Sequence, residues 1–190
     1  YKDLADFIFP DIKHDIAYYE EKYPQRNLKE GSIVTRYAPS PTGFVHIGAL
    51  LASYTGYSFA KQSDGVFYLR IEDTDTKRTV ENGVSKIIKD LQDFNITFDE
   101  GMIDEQAEKG NYGPYIQSSR KEIYHTFIKY LIAENKAYPC FLTEEELTAM
   151  SERQEKYKER IGCYGKYAKY RDVEPEEAIE KIKNGEPYII

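Results

Sequence analysis

The apolar positions divide the chain into segments of different period. Ile47, Leu50, Leu51 and Tyr54 recur at i, i+3, i+4 and i+7. That spacing predicts a helix running to about Gln62 with those side chains on one buried face. Val80, Val84, Ile87, Ile88 and Leu91 mark a second amphipathic helix that ends near Asn95. Three short apolar runs flank these helices. Ile33 to Ala38 is stopped by Pro39 and Pro41, Val66 to Ile71 is entered through Asp64-Gly65, and Ile96-Thr97-Phe98 follows the second helix. Each run predicts a strand. The order β-α-β-α-β predicts an α/β fold with a doubly wound parallel sheet.

The character changes after Gly113-Pro114. A helix is predicted over about 118–135 with Ile123, Phe127, Tyr130 and Leu131 inward, and then a strand over 137–142. Thr143 followed by Glu146 is a capping-box signature that opens a charged helix reaching about Arg160. A Gly/Tyr/Lys loop leads to Pro175 at the start of a last helix, with Ala178, Ile179 and Ile182 inward. This half has an α+β pattern. Residues 1–31 predict a short helical extension packed on the body and a linker. Three segments result: 1–32, 33–115 and 116–190.

Composition narrows the classes. The chain has 190 residues, 41% hydrophobic and 31% charged, which excludes a collagen, a disordered tail and a coiled-coil rod. No run approaches the roughly 18 apolar residues of a membrane-spanning helix, so no membrane partner is expected. There is no secretory signal pattern. Cys140 and Cys163 cannot make a disulfide framework and suit a reducing cytosol, so a cytoplasmic location is expected. A net charge of −7 argues against nonspecific coating with nucleic acid and leaves open binding through a local basic patch. The chain begins at Tyr1 without Met and closes on Pro187-Tyr188-Ile189-Ile190, the opening of a strand. That pattern is expected of a piece of a longer protein.

The first β-to-α connection, 39–49, carries the most chemistry. Ligands of open α/β sheets bind where strands end and helices begin. A helix N-terminus offers unpaired N–H groups and a positive dipole end to a phosphate. His46 falls in the first turn of the predicted helix, and Gly48 leaves room for a flat base or ribose against the backbone. A rigid proline-rich turn with an incidental histidine fits the same spacing. The absence of Gly-x-Gly-x-x-Gly after the first strand removes the dinucleotide-dehydrogenase alternative.

Thr35-Arg36-Tyr37-Ala38-Pro39-Ser40-Pro41-Thr42-Gly43 leading to His46-Ile47-Gly48-Ala49, followed by Arg70-Ile71-Glu72-Asp73-Thr74-Asp75, resembles the opening of the glutamyl-tRNA synthetases. His46-Ile47-Gly48-Ala49 is similar to the class I signature His-Ile-Gly-His, with Ala49 as a departure common in the glutamyl enzymes. The resemblance continues through 98–101, 113–118 and 137–138 and covers about 33–190. The residues before Ile33 resemble an N-terminal extension of some bacterial members.

The resemblance implies a class I synthetase Rossmann-like domain, its first half over 33–115, with an inserted tRNA acceptor-end-binding domain over 116–190. It implies glutamate–tRNA ligase activity through a glutamyl-adenylate, with L-glutamate, ATP and tRNA(Glu) as partners and a monomeric parent. Magnesium would arrive with ATP. His46 and Gly48 would be the catalytic positions. Pro39, Thr42, Gly43, His46, Gly48 and Ala49 would bind ATP. Arg36, Ala38, Ser40 and Glu72 would bind glutamate, Arg36 through a forked guanidinium that suits a carboxylate. Residues 68, 70 and 72 share one face of the second strand. A structural ion pair is the alternative use of Arg36 and Glu72.

Asp73 and Asp75 fit either a hard-cation pair or, more commonly, caps of a helix or turn. The resemblance places Asp75 near the tRNA terminus. Lys166, Lys169 and Arg171, among Tyr164, Tyr167 and Tyr170, form a basic aromatic stretch open to phosphate contact and base stacking, or to a solvated surface. Some family members hold zinc in the insertion, but Cys140 and Cys163 lack the paired ligands of such a site, so no zinc and no protein-held metal is expected. His14 and His125 carry no assigned role. No Lys-Met-Ser-Lys-Ser-like loop occurs in the chain, so this chain alone is expected to be inactive. Two alternatives rank below: a glutamyl-queuosine tRNA synthetase, whose motifs usually differ, and a noncatalytic module that holds nucleotide or tRNA.

Overall fold

The computed structural model describes residues 1–43, 45–75 and 77–190. By contacts the chain divides into two compact units, Tyr19–Glu122 and a second made of Tyr1–Tyr18 with Ile123–Ile190.

The first unit is built on a sheet of order β1-β2-β3-β4, with β1 (Val34–Tyr37), β2 (Val66–Leu69), β3 (Glu100–Met102) and β4 (Glu108–Lys109). β1, β2 and β3 run parallel, and β4 turns back antiparallel on β3. α3 (Ile47–Gln62) follows β1 and α4 (Gly83–Gln92) follows β2. Both cover the sheet face that carries Tyr37, Phe67 and Leu69, and Ala60, Ile87, Leu91 and Ile96 complete the packing. The α/β class expected from the periodicity is the observed one.

Three details differ from expectation. The third strand is Glu100–Met102, not 96–98. Ile96 is buried in the core and Phe98 stacks on Phe67 at 4.8 Å, so their alternation reflects packing, not pairing. Asp99 makes the transition: its N–H donates to Phe67 O at 2.8 Å while its carboxylate accepts from Phe67 N at 2.9 Å. Gly101 then pairs with Leu69 so closely, at φ +123°, that a Cβ there would lie 2.2 Å from Leu69 O.

The second correction concerns the face of α3. Ile47, Leu51 and Tyr54 are 81%, 65% and 56% exposed, and the buried positions are Ser53 and Ala60. Small residues face the sheet because the helix lies close to it. A Cβ on Gly56 would meet Phe67 at 3.1 Å, and Gly56 O accepts from the Thr35 hydroxyl at 2.7 Å. The bulky stripe is left outward, beside β1, which is the last strand on its side of the described sheet.

In the second unit, α1 (Lys2–Ile8) packs with α5 (Lys121–Ala133) and α7 (Pro175–Lys183) through Leu4, Ala5, Ile132, Phe141 and Ala178. α2 (Ile16–Lys22) bridges the boundary in sequence. α5 is preceded by a 3-10 turn at Ser118–Arg120. Its expected inward face is again misplaced: Phe127, Tyr130 and Leu131 are exposed, while Thr126 and Ile132 are buried. The expected strand at 137–142 reduces to one antiparallel bridge, Cys140 with Ile189. Pro139 and Pro187 have no N–H to extend the ladder.

α6 (Glu144–Lys156) opens with the full capping box, Thr143 Oγ1 accepting from Glu146 N and Glu146 Oε2 accepting from Thr143 N at 2.9 Å. Near its end the fully buried Gln154 donates from Nε2 to Gly162 O and accepts from Gly162 N, both at 2.9 Å. No described helix is long and apolar enough to cross a membrane.

Candidate nucleotide-binding site

The β1-to-α3 connection opens into a cleft of about 360 Å³ lined by Tyr37, Pro39, Ser40, Thr42, Gly43, Val45, His46, Ala49 and Ile87. Its floor is held by backbone bonds. Glu72 N donates to Pro39 O at 2.9 Å, Val80 N to Pro41 O at 3.0 Å and Arg70 N to Tyr37 O at 3.0 Å. These bonds draw the chain after β2 against the first loop, so the Glu72 backbone and residues 39–41 are neighbours. On the other side Asp90 of α4 accepts weakly from Val45 N at 3.4 Å.

His46 is the N-cap of α3 and is exposed. Its Nδ1 accepts from Ala49 N at 3.3 Å. A neutral ring that accepts at Nδ1 carries its proton on Nε2, which leaves Nε2–H as a donor at the dipole's positive end. Gly48 controls this ring, since a Cβ there would lie 3.2 Å from both Cε1 and Nδ1 of His46. The arrangement can bind an anion and place one neutral donor beside it.

Of the positions expected to bind ATP, Pro39, Thr42, Gly43, His46 and Ala49 line this cleft together, and Gly48 acts one step back, through the His46 ring. Of those expected to bind glutamate, Ser40 lines it, while Ala38, Arg36 and Glu72 do not. Arg36 is exposed on β1 and makes no ion pair or side-chain hydrogen bond among the described residues. Glu72 accepts from Arg70 Nη2 at 3.0 Å. The ion-pair partner of Glu72 is thus the residue two before it on the same face, not Arg36. Tyr37 and Ile87 line the cleft without having been expected there. The signal for Tyr37 was its place at the end of the first strand; Ile87 reaches the cleft from α4 and had none.

Asp73 accepts from Ser118 N at 2.9 Å and from the Ser118 hydroxyl, so it caps the turn ahead of α5. Asp75 pairs with Arg78, whose hydrogen bond holds its carboxyl below the usual range. Both carboxylates are engaged as caps. Lys166 pairs with Glu159 at 2.7 Å, Lys169 lies 3.7 Å from Glu146, and Arg171 lies over the Tyr138 ring at 5.8 Å. All three belong to the second unit. Among the described residues no group of three or more His, Cys, Asp or Glu side chains is placed to hold a metal ion. A larger cavity of about 590 Å³, in the second unit between the first 17 residues and α5, is lined by none of the expected positions.

A parallel sheet whose first strand runs through a Pro/Gly loop to a histidine-capped helix defines a nucleotide-binding α/β protein. The chain belongs to the class I tRNA synthetases (E and Q), catalytic domain, whose family profile matches residues 32–190. It is 55% identical over 190 residues to a glutamate–tRNA ligase of Clostridium perfringens (strain 13 / Type A) and 49% identical over 191 residues to one of Acetivibrio thermocellus. Each comparison covers all of this chain and 35% of the relative. A crystal structure of a glutamate tRNA ligase from Elizabethkingia meningosepticum, in complex with its amino acid, is 33% identical with a TM-score of 0.67. That match covers 84% of this chain and 32% of the other. A glutamate-tRNA synthetase structure from Elizabethkingia anophelis matches with a TM-score of 0.68 at 32% identity, over 83% of this chain and 32% of the other. The chain spans about a third of the length of the relatives it matches.

Proposed function

We propose that this chain supplies the adenylate-forming face of a glutamate–tRNA ligase. In the first step the α-carboxylate of glutamate attacks the α-phosphorus of ATP and pyrophosphate leaves. In the second, a hydroxyl of the 3′-terminal adenosine of tRNA attacks the adenylate carbonyl and AMP leaves. His46 Nε2–H donates to the α-phosphate as charge accumulates there in the transition state. Pro39, Thr42, Gly43 and Ala49 shape the nucleotide cleft, and Gly48 keeps the His46 ring in place. Magnesium enters with ATP as part of the substrate. Arg36 receives the side-chain carboxylate of glutamate, Ala38 and Ser40 line its pocket, and Glu72 holds its α-ammonium. Asp75, Lys166, Lys169 and Arg171 contact the tRNA acceptor end, in a monomeric cytoplasmic enzyme.

The observation that carries this reading is His46 as the N-cap of α3 at the mouth of a cleft lined by Pro39, Ser40, Thr42 and Gly43. The test joins this chain to the remaining two thirds of the Clostridium perfringens relative and measures glutamate-dependent ATP–pyrophosphate exchange with tRNA present. Exchange is expected in the joined protein and not in the 190-residue chain alone. His46→Ala should lower it about 10²–10³-fold, the usual cost of removing one transition-state donor. A folded, tRNA-binding joined protein without exchange refutes the reading.

A further inference from the structure

The two cysteines meet in the second unit. Cys140 lies on the bridged segment, its N–H donating to Ile189 O at 2.7 Å and its carbonyl accepting from Ile189 N at 3.1 Å. Cys163 follows Gly162, which the Gln154 amide grips at both its N–H and its carbonyl. The segment and the loop beyond Cys163 pack on each other, with Phe141 edge-on to Tyr170 at 5.4 Å and Arg171 over Tyr138. Within that frame the Cys140 and Cys163 side chains hydrogen-bond to one another, and both thiols are free and half-buried.

Two thiols in hydrogen-bond contact, each on a backbone fixed by its own pair of bonds, need only lose two hydrogens to join. We propose that Cys140 and Cys163 form a reversible disulfide, an oxidation site that staples the basic loop 162–171 to the segment 137–142. The oxidant is a small-molecule disulfide. The Cys140 thiolate attacks one of its sulfurs and expels the other as a thiolate, leaving a mixed disulfide on Cys140. Cys163 then gives up its proton and its sulfur attacks Cys140 Sγ, expelling the second small thiol. Two protein thiols are oxidised, and one small disulfide is reduced to two thiols. Burial and the adjacent Cys140 push the Cys163 thiol up. That suits Cys163 to the second step, where the attack is intramolecular and a low thiolate fraction is tolerated.

The staple closes across the loop that holds Lys166, Lys169 and Arg171. Oxidation therefore restricts the chain's local basic surface while leaving the cleft around His46 untouched.

The test is oxidation of the folded chain by oxidised glutathione, read by intact mass and by alkylation of the remaining thiols. The expected product is a monomer lighter by two hydrogens, with both thiols blocked and both recovered on reduction. Tryptic cleavage after Lys166, Lys169 and Arg171 should slow several-fold in that product. Cys163→Ser should stop at a single glutathione adduct with unchanged cleavage. Unreacted thiols, persistent glutathione adducts on the unsubstituted chain or disulfide-linked dimers would overturn the pairing. An internal disulfide with unchanged tryptic cleavage would overturn the staple. The mass measurement needs no variant, so a substitution that unfolds the protein leaves the proposal testable.

Discussion

Arg26 Nη2 donates to Glu100 Oε2 at 2.8 Å while Nη1 pairs with Oε1, a forked ion pair between residues 74 apart in the chain. Both side chains are about one-sixth exposed, and the guanidinium also lies 3.7 Å over the Tyr112 ring. Glu100 opens β3, so Arg26 ties the segment ahead of the family-matched region to the sheet. Removing one partner of a largely buried pair strands the other charge. Arg26→Ala is expected to cost about 2–4 kcal/mol in urea unfolding. Glu100→Gln added to it should cost much less than in the wild type, the coupling that a double-mutant cycle measures.

The same pair sets an acid dependence. Burial pushes the Glu100 carboxyl up, but hydrogen bonds from Arg26 and Tyr115 outweigh it and leave the group below its ordinary value of 4.5. A carboxyl lowered by folding stabilises the fold above its unfolded value, and that contribution is lost as the pH falls through the folded one. Stability should therefore drop as the pH falls below about 4.5, and Glu100→Gln should flatten that limb of the curve. An unchanged limb in Glu100→Gln would show that other carboxylates govern acid unfolding.

Tyr115 is fully buried and donates to Glu100 Oε2 at 2.7 Å. Burial and this bond push its hydroxyl up to about 12. A raised value stabilises the fold below the unfolded value of 10.0, and the contribution is lost as the pH rises through about 12. Ultraviolet titration of phenolate should find one of the 18 tyrosines ionising last, and Glu100→Gln should bring it earlier.

Gly48→Ala separates stability from function. In the helix the change is neutral or stabilising by about 1 kcal/mol. Its Cβ must nevertheless push the His46 ring from its place. In the joined protein described above, Gly48→Ala should leave the unfolding midpoint intact or raised and weaken exchange at least tenfold. Full activity would mean that the ring's position is unimportant.

The outward stripe of α3 predicts a contrast. Leu51→Lys and Tyr54→Lys in this chain should change stability by no more than about 0.5 kcal/mol and raise solubility. Leu91→Ala, at a fully buried site, should cost about 2–5 kcal/mol. Urea midpoints and light scattering read both, and a loss above about 2 kcal/mol from Leu51→Lys would place that side chain in the core.

The sequence pattern reads most reliably where one physical demand dominates. α4 has a single apolar stripe, and Val84, Ile87 and Leu91 are buried as their spacing requires. Thr143 and Glu146 close a local box that needs no tertiary partner. His46 sits at the start of its helix because the prolines before it can only precede one. α3 and α5 carry apolar residues on more than one side, so periodicity alone cannot select the inward face. In α3 the small residues Ser53, Gly56 and Ala60 win because close approach to Phe67 outweighs bulk. The Arg26–Glu100 pair and the Cys140–Cys163 contact join distant segments, and spacing has no means of announcing either. Nor did it reveal that Glu72 would be engaged by Arg70.

The Gln154 amide copies, with one side chain, the donor and acceptor a neighbouring strand would offer Gly162. Both bonds fall on a single residue at φ +127°, where a Cβ would strike the Tyr164 ring at 2.6 Å. The loop is therefore pivoted and not clamped: one point stays at a fixed address while the cationic arm beyond it can swing. The whole reach of that arm is decided by an uncharged residue that no substrate would touch.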